Sequence, residues 1–144
     1  MTTGWASKYV GLPFVDGGRD VSGCDCWGLV KLVLADQAGL QLPRFEDIAA
    51  LDGARVNRAI RETIETGCWQ EINRADAGRL DVVVMRGRVR VDGVVHAAET
   101  HVGIVVDDRH LMHIETGINA VIVKMSSFTV RDRIRRFFRH EALT

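Results

Sequence analysis

The sequence predicts an α+β fold with helices first and an antiparallel sheet afterwards. Two observations predict it. Apolar residues recur at helical spacing between Cys26 and Gly67, and from Leu80 onward short valine-rich runs separated by turn residues take over. No strand–helix–strand alternation breaks that order. The chain has 144 residues and is 47% apolar, so a single domain over residues 1–144 with one core is expected, without staples.

Residues 1–24 are polar and glycine-rich, and "DGGRDVSG" reads as a loop. Asp25 can cap a helix that starts at Cys26. Leu29, Val30, Val33, Leu34 and Gln37 follow one face of it, and Gly39 stops it. A second helix is expected from about Gly53 to Thr66, with Val56, Ala59, Ile60, Thr63 and Ile64 on one face and Gly67 ending it. "LDVVVMRG" (80–87) reads as a buried strand. "RVRVDGVVHA" (88–97) alternates around Asp92-Gly93, a strong hairpin signal. Further strands are expected at 100–106, 110–115, 120–125 and 133–140.

The formal net charge is zero, which argues against nucleic-acid binding as the main role. "RDRIRRFFRH" (131–140) holds five arginines. It reads as a charged edge strand that discourages pairing, or as a docking surface. No run of about eighteen apolar residues exists, so no membrane insertion is expected. The N-terminus lacks a basic region followed by an apolar stretch, so no signal peptide is expected. Three cysteines without a secretory signal point to reduced thiols.

Two of those cysteines sit in "SGCDCWGLV" (22–30), at the start of the first helix. Zinc wants three or four Cys/His ligands at regular spacings, and C-x-C with scattered histidines matches poorly. A Cys24–Cys26 disulfide closes too tight a loop. Cys26 remains either a small buried residue or a nucleophile. Its place in the first helical turn favours thiolate through the helix dipole. His101, in a strand and two residues before Gly103, supplies a base far away in sequence, as in thiol hydrolases. His96 and His140 read as ordinary, and Cys68 beside Trp69 as core.

The segments "WASKYVGLPFVDGG" (5–18), "GCDCWGLVKLV" (23–33), "DVVVMR" (81–86) and "HVGIVVDDRHLMHIETG" (101–117) together resemble the NlpC-type cell-wall cysteine peptidases, most closely their phage-tail and gene-transfer-particle branch. The resemblance implies a papain-like NlpC-type fold, N-terminal helices packed on an antiparallel sheet, and no cofactor or metal. It matches Cys26 to the nucleophile, His101 to the general base and His113 to the residue that orients the imidazole. Strand parity gives partial support: with a three-residue loop at 107–109, positions 101, 111, 113 and 115 share a face and His110 takes the other, whereas a two-residue loop favours His110. The oxyanion and substrate region implied is Asp25, Trp27 and Phe14. Many relatives carry Tyr where this chain has Phe14, and Ser where it has Trp27. The substrate implied is the peptidoglycan stem peptide, commonly its D-glutamate–diaminopimelate bond. Asp16, Arg19, Asp20 and Glu99 are near the site in sequence order and read as solvated loop charges.

The implied setting is a phage tail tip. The protein would be made in the host cytoplasm, built into the virion beside tail-tip or hub proteins, and would act in the periplasm and wall during genome entry. The alternative is a structural tail-tip subunit that keeps the peptidase fold with weak or no activity.

Overall fold

The computed structural model describes residues 4–43 and 53–143. A 3-10 turn, Gly4–Tyr9, leads into a two-stranded ribbon of β1 (Arg19–Asp20) and β2 (Gly23–Cys24). Helices α1 (Cys26–Ala38) and α2 (Gly53–Glu65) follow. The strands are β3 (Trp69–Ile72), β4 (Val82–Val91), β5 (Val94–Val105), β6 (His110–Glu115), β7 (Ile118–Lys124) and β8 (Ile134–His140). They form one antiparallel sheet in the order β3-β8-β4-β5-β6-β7. Helices before an antiparallel sheet is the α+β arrangement that the sequence predicts.

The core divides by strand parity. Val82, Val84, Val102, Ile104, Met112 and Ile114 face α1, which buries Leu29, Val30, Val33 and Leu34 against them. Val83, Met85, Val105, Leu111 and Phe137 face the other way, under Met125 and Val130. Helix α1 ends as expected: Gly39 takes φ 65°, and its N–H meets the carbonyls of Leu34 and Ala35. Helix α2 follows the expected bounds but buries no side chain fully. Its face of Val56, Ala59, Ile60, Thr63 and Ile64 covers an apolar cavity of about 70 Å³ that reaches Cys26.

Three expectations need correction. The 80–87 and 88–97 segments are not separate units: β4 and β5 form one long hairpin around Asp92-Gly93, both with positive φ (52° and 78°). A bulge between Met85 and Arg86 breaks the alternation there. Strand β8 is not an edge, because β3 (69–72) pairs along it. Two of its arginines and one just before it are matched by carboxylates: Arg139 to Asp81 (2.8 Å), Arg136 to Glu99 (2.5 Å) and, preceding the strand, Arg133 to Glu115 (2.9 Å). Finally, "DGGRDVSG" contains the β1–β2 ribbon, which packs on α1. Among the described residues no helix is long and apolar enough to cross a membrane.

Candidate active site

Asp25 builds the start of α1. Its extended backbone and side chain cap the helix, with Oδ1 accepting from the Gly28 amide at 2.8 Å. The same carboxylate accepts from the Gly17 amide (3.0 Å) and from Arg19 Nη1 (2.7 Å). Asp25 and Arg19 form a buried ion pair with side chains 1% and 2% exposed. Asp25 is therefore committed to the cap and the ribbon. Arg19 is no solvated loop charge, and neither is Glu99, which Arg136 grips with two nitrogens. Gly28 is forced by packing: a Cβ there would sit 2.1 Å from the Gly18 carbonyl oxygen.

Cys26 occupies the first position of α1 and is 5% exposed. Backbone amides of Val102 and Trp27 lie within hydrogen-bond reach of its sulfur and favour the thiolate. Burial outweighs them and, with the Asp25 charge next to it, pushes the thiol up to about 12. The helix start by itself does not win here, contrary to the expectation from the dipole. Cys24 is fully buried and is likewise pushed up by burial, to about 11, while Cys68 is half-buried at the foot of β3.

His101 lies on β5 and His113 on β6. Residues 107–109 form a three-residue loop closed by the Val106 amide on the His110 carbonyl (2.9 Å). The resulting register pairs Ile104 with Met112 and Val105 with Leu111, which puts His113 beside Gly103. A Cβ at Gly103 would lie 3.3 Å from that of His113, so glycine lets the two strands carry the ring there. His101 Nε2 and His113 Nδ1 are 2.9 Å apart. His110 is elsewhere, with Nδ1 on Asp107 at 2.9 Å. Burial pushes His101 down to about 3 and lowers His113 too, so both rings are neutral near pH 7.

Cys26 and His101 border one cleft of about 280 Å³, together with Phe14, Arg88, Glu115 and Arg133. Phe14 reaches it through a bridge between its backbone and Cys24. Trp27 does not line this cleft. Its indole N–H donates to the Pro43 carbonyl (2.7 Å), and its ring borders the apolar cavity under α2. Sequence reasoning missed Glu115. Its carboxylate lies 4.0 Å from His101 Nε2 and 3.9 Å from His113 Nδ1, and is held by both Arg133 nitrogens at 2.9 and 3.0 Å. Its parity with 101 and 113 was the available signal. His101, His113 and Glu115 offer ligand atoms within 4.8 Å of one another. They suit a metal poorly, because the facing nitrogens bond each other and Arg133 takes both carboxylate oxygens.

A sequence profile of the NlpC/P60 family matches residues 11–139. The chain belongs to the NlpC/P60 family. Two solved structures are similar to this NlpC/P60 chain. One, from Staphylococcus aureus subsp. aureus Mu50, is described as similar to a lipoprotein of the NLP/P60 family; it shares 26% identity at a TM-score of 0.63, over 96% of this chain and 40% of that one. The present chain thus spans well under half of the staphylococcal protein. The other is the NlpC/p60 domain of the peptidoglycan hydrolase SagA, with 20% identity, a TM-score of 0.61, and 96% and 95% of the two chains covered. That second likeness is one of fold. No curated protein matches the chain.

Proposed function

We propose that this protein is a cysteine peptidase that hydrolyses amide bonds in the stem peptides of peptidoglycan. The observation that carries the reading is the 2.9 Å contact between His101 and His113 beside the cleft that Cys26 borders, in an NlpC/P60 chain.

The contact supports one division of labour between the ring nitrogens. His101 Nε2 faces His113, so Nδ1 is the nitrogen left to take the Cys26 proton. With Nε2–H donating to His113 Nδ1, the ring is held in the tautomer whose Nδ1 lone pair is free. Burial keeps thiol and imidazole neutral at rest, so proton transfer accompanies attack on the substrate carbonyl. The Cys26 sulfur bonds to the carbonyl carbon, and the oxyanion takes hydrogen bonds from backbone amides at the start of α1. The His101 imidazolium then protonates the leaving amine as the C–N bond breaks, giving a thioester. Water, activated by His101, hydrolyses it. The Glu115 carboxylate, about 4 Å away, favours the transient imidazolium.

The bond between D-glutamate and diaminopimelate is the scissile bond in this reading. The Asp-Cys-Trp-Gly start of α1 supports a tail-tip setting, in which the protein opens the wall locally for genome entry. Digestion of purified peptidoglycan with wild type and Cys26→Ala, read by mass spectrometry, tests the chemistry: stem peptides released only by wild type support it. Recovery of the protein in purified particles tests the setting; its presence free in host periplasm and absence from particles would overturn it. Phe14 favours a second reading, a structural tail subunit, because it brings no hydroxyl to the cleft. Folded wild type that releases nothing, alone and in assembled tails, selects that reading.

A further inference from the structure

The charges of the cleft do not cancel. Glu115 and Arg133 neutralise each other through two parallel hydrogen bonds, and burial keeps His101 uncharged. Arg88 is left. It is exposed on β4, borders the same cleft, and has no acidic partner among the described residues. Its cross-strand neighbour is Ala97. Arg86 and Arg90 flank it on the same face of the strand. Glu99, the acid on that ladder, is taken by Arg136, and Arg90 turns to the Gly93 carbonyl at 3.1 Å. Among the described residues that border the cleft, Arg88 thus carries the one charge left without a neutralising partner.

We propose that Arg88 is a specificity-determining residue that binds a carboxylate on a residue flanking the scissile amide. The inference rests on the peptidase reading above and narrows its substrate to peptides with a free carboxylate beside the cut. Met85, three residues before Arg88, is the register partner of His101. Three strand residues span about 10 Å; an arginine side chain folded back covers part of that distance, and a carboxylate on a residue flanking the scissile amide meets it across the rest. Phe14 and Ile114 supply apolar walls. A peptide lying between them displaces water, which strengthens a guanidinium–carboxylate pair that is weak at an open surface. The planar fork of arginine also selects a carboxylate over a carboxamide, which presents only one acceptor oxygen.

The test uses synthetic L-Ala-γ-D-Glu-diaminopimelate peptides, free or with a single carboxylate amidated, and wild type, Arg88→Gln, Arg88→Lys and Arg90→Gln. With the free peptide, Arg88→Gln raises KM about 10- to 100-fold with little change in kcat, Arg88→Lys recovers part of the loss, and Arg90→Gln behaves as wild type. Amidating the recognised carboxylate costs wild type a similar factor and Arg88→Gln almost nothing. Equal discrimination by wild type and Arg88→Gln would overturn the proposal. A second readout needs no turnover: the rate of Cys26 alkylation by iodoacetate relative to iodoacetamide. Arg88→Gln lowers that ratio several-fold, and an unchanged ratio counts against Arg88. Absence of cleavage by folded wild type, alone and in assembled tails, would overturn the peptidase reading, while the alkylation ratio still decides whether the Arg88 charge acts at the thiol.

Discussion

His101 Nε2 and His113 Nδ1 meet at 2.9 Å although they lie twelve positions apart in the chain, because a three-residue loop sets the register of β5 and β6. The contact leaves His101 one nitrogen for chemistry. His113→Ala is expected to lower kcat on peptidoglycan peptides by about 10²- to 10⁴-fold with KM nearly unchanged, and His113→Asn to retain more activity than His113→Ala. A His113→Ala variant with wild-type kcat would remove the orienting role.

Buried neutral groups set a pH window for stability. His101 binds its proton at about pH 6.5 when unfolded and only near 3 when folded, so folding loses free energy as pH falls below about 6.5. Each such group contributes up to about 1.4 kcal/mol per pH unit within its window. At the other end, Cys26 ionises near 9 when unfolded and about 12 when folded, so stability falls again as pH rises above 9. Urea midpoints measured from pH 4 to 10 should peak between these limits, and His101→Asn should flatten the acid side. Alkylation of Cys26 by iodoacetamide should speed up steadily with pH. A rate that is flat from pH 5 to 8 would instead show a thiolate–imidazolium pair at rest.

Asp25→Ala removes the α1 cap and takes from the buried Arg19 its ion-pair partner at 2.7 Å. The expected cost is about 3–5 kcal/mol in chemical denaturation, with Asp25→Asn costing less because the amide oxygen still caps. The pair Asp25→Ala/Arg19→Met should recover a large part of the loss. Failure of any recovery would place the cost in the cap.

Phe14 borders the cleft with Cys26 and His101 but carries no donor. Phe14→Tyr adds a hydroxyl at the cleft wall and is expected to raise kcat several-fold, since one oxyanion donor is worth up to about 10²-fold or more elsewhere. An unchanged kcat with intact folding would show that backbone amides already satisfy the oxyanion.

How much of this was readable in the sequence differs by element. Cys26 and Gly39 bound α1 because capping is local chemistry, and the Asp92-Gly93 turn is equally local. The face shared by His101 and His113 followed from period two once the loop length was chosen. Strand β3 escaped notice: Trp69–Ile72 is four residues long, with two polar residues at its centre, and is defined by its pairing to β8 rather than by its own pattern. The same distant pairing turned β8 from an expected edge into an interior strand. The Glu115–Arg133 fork joins residues 18 apart, and Arg88 stands out only once the partners of its neighbours are known. Burial of Cys26, which reverses the local pull of the helix start, is likewise a property of the assembled core.

The Asp-Cys-Trp-Gly block mixes architecture with chemistry. Asp25 holds a helix cap and an ion pair, Trp27 ties itself to Pro43, and Gly28 makes room for the Gly18 carbonyl. Only Cys26 is chemically spare. A descendant that abandoned catalysis would keep three of these four letters to stay folded, so that block identifies the scaffold, and an intact cysteine together with the distant histidine pair is what would mark a working copy.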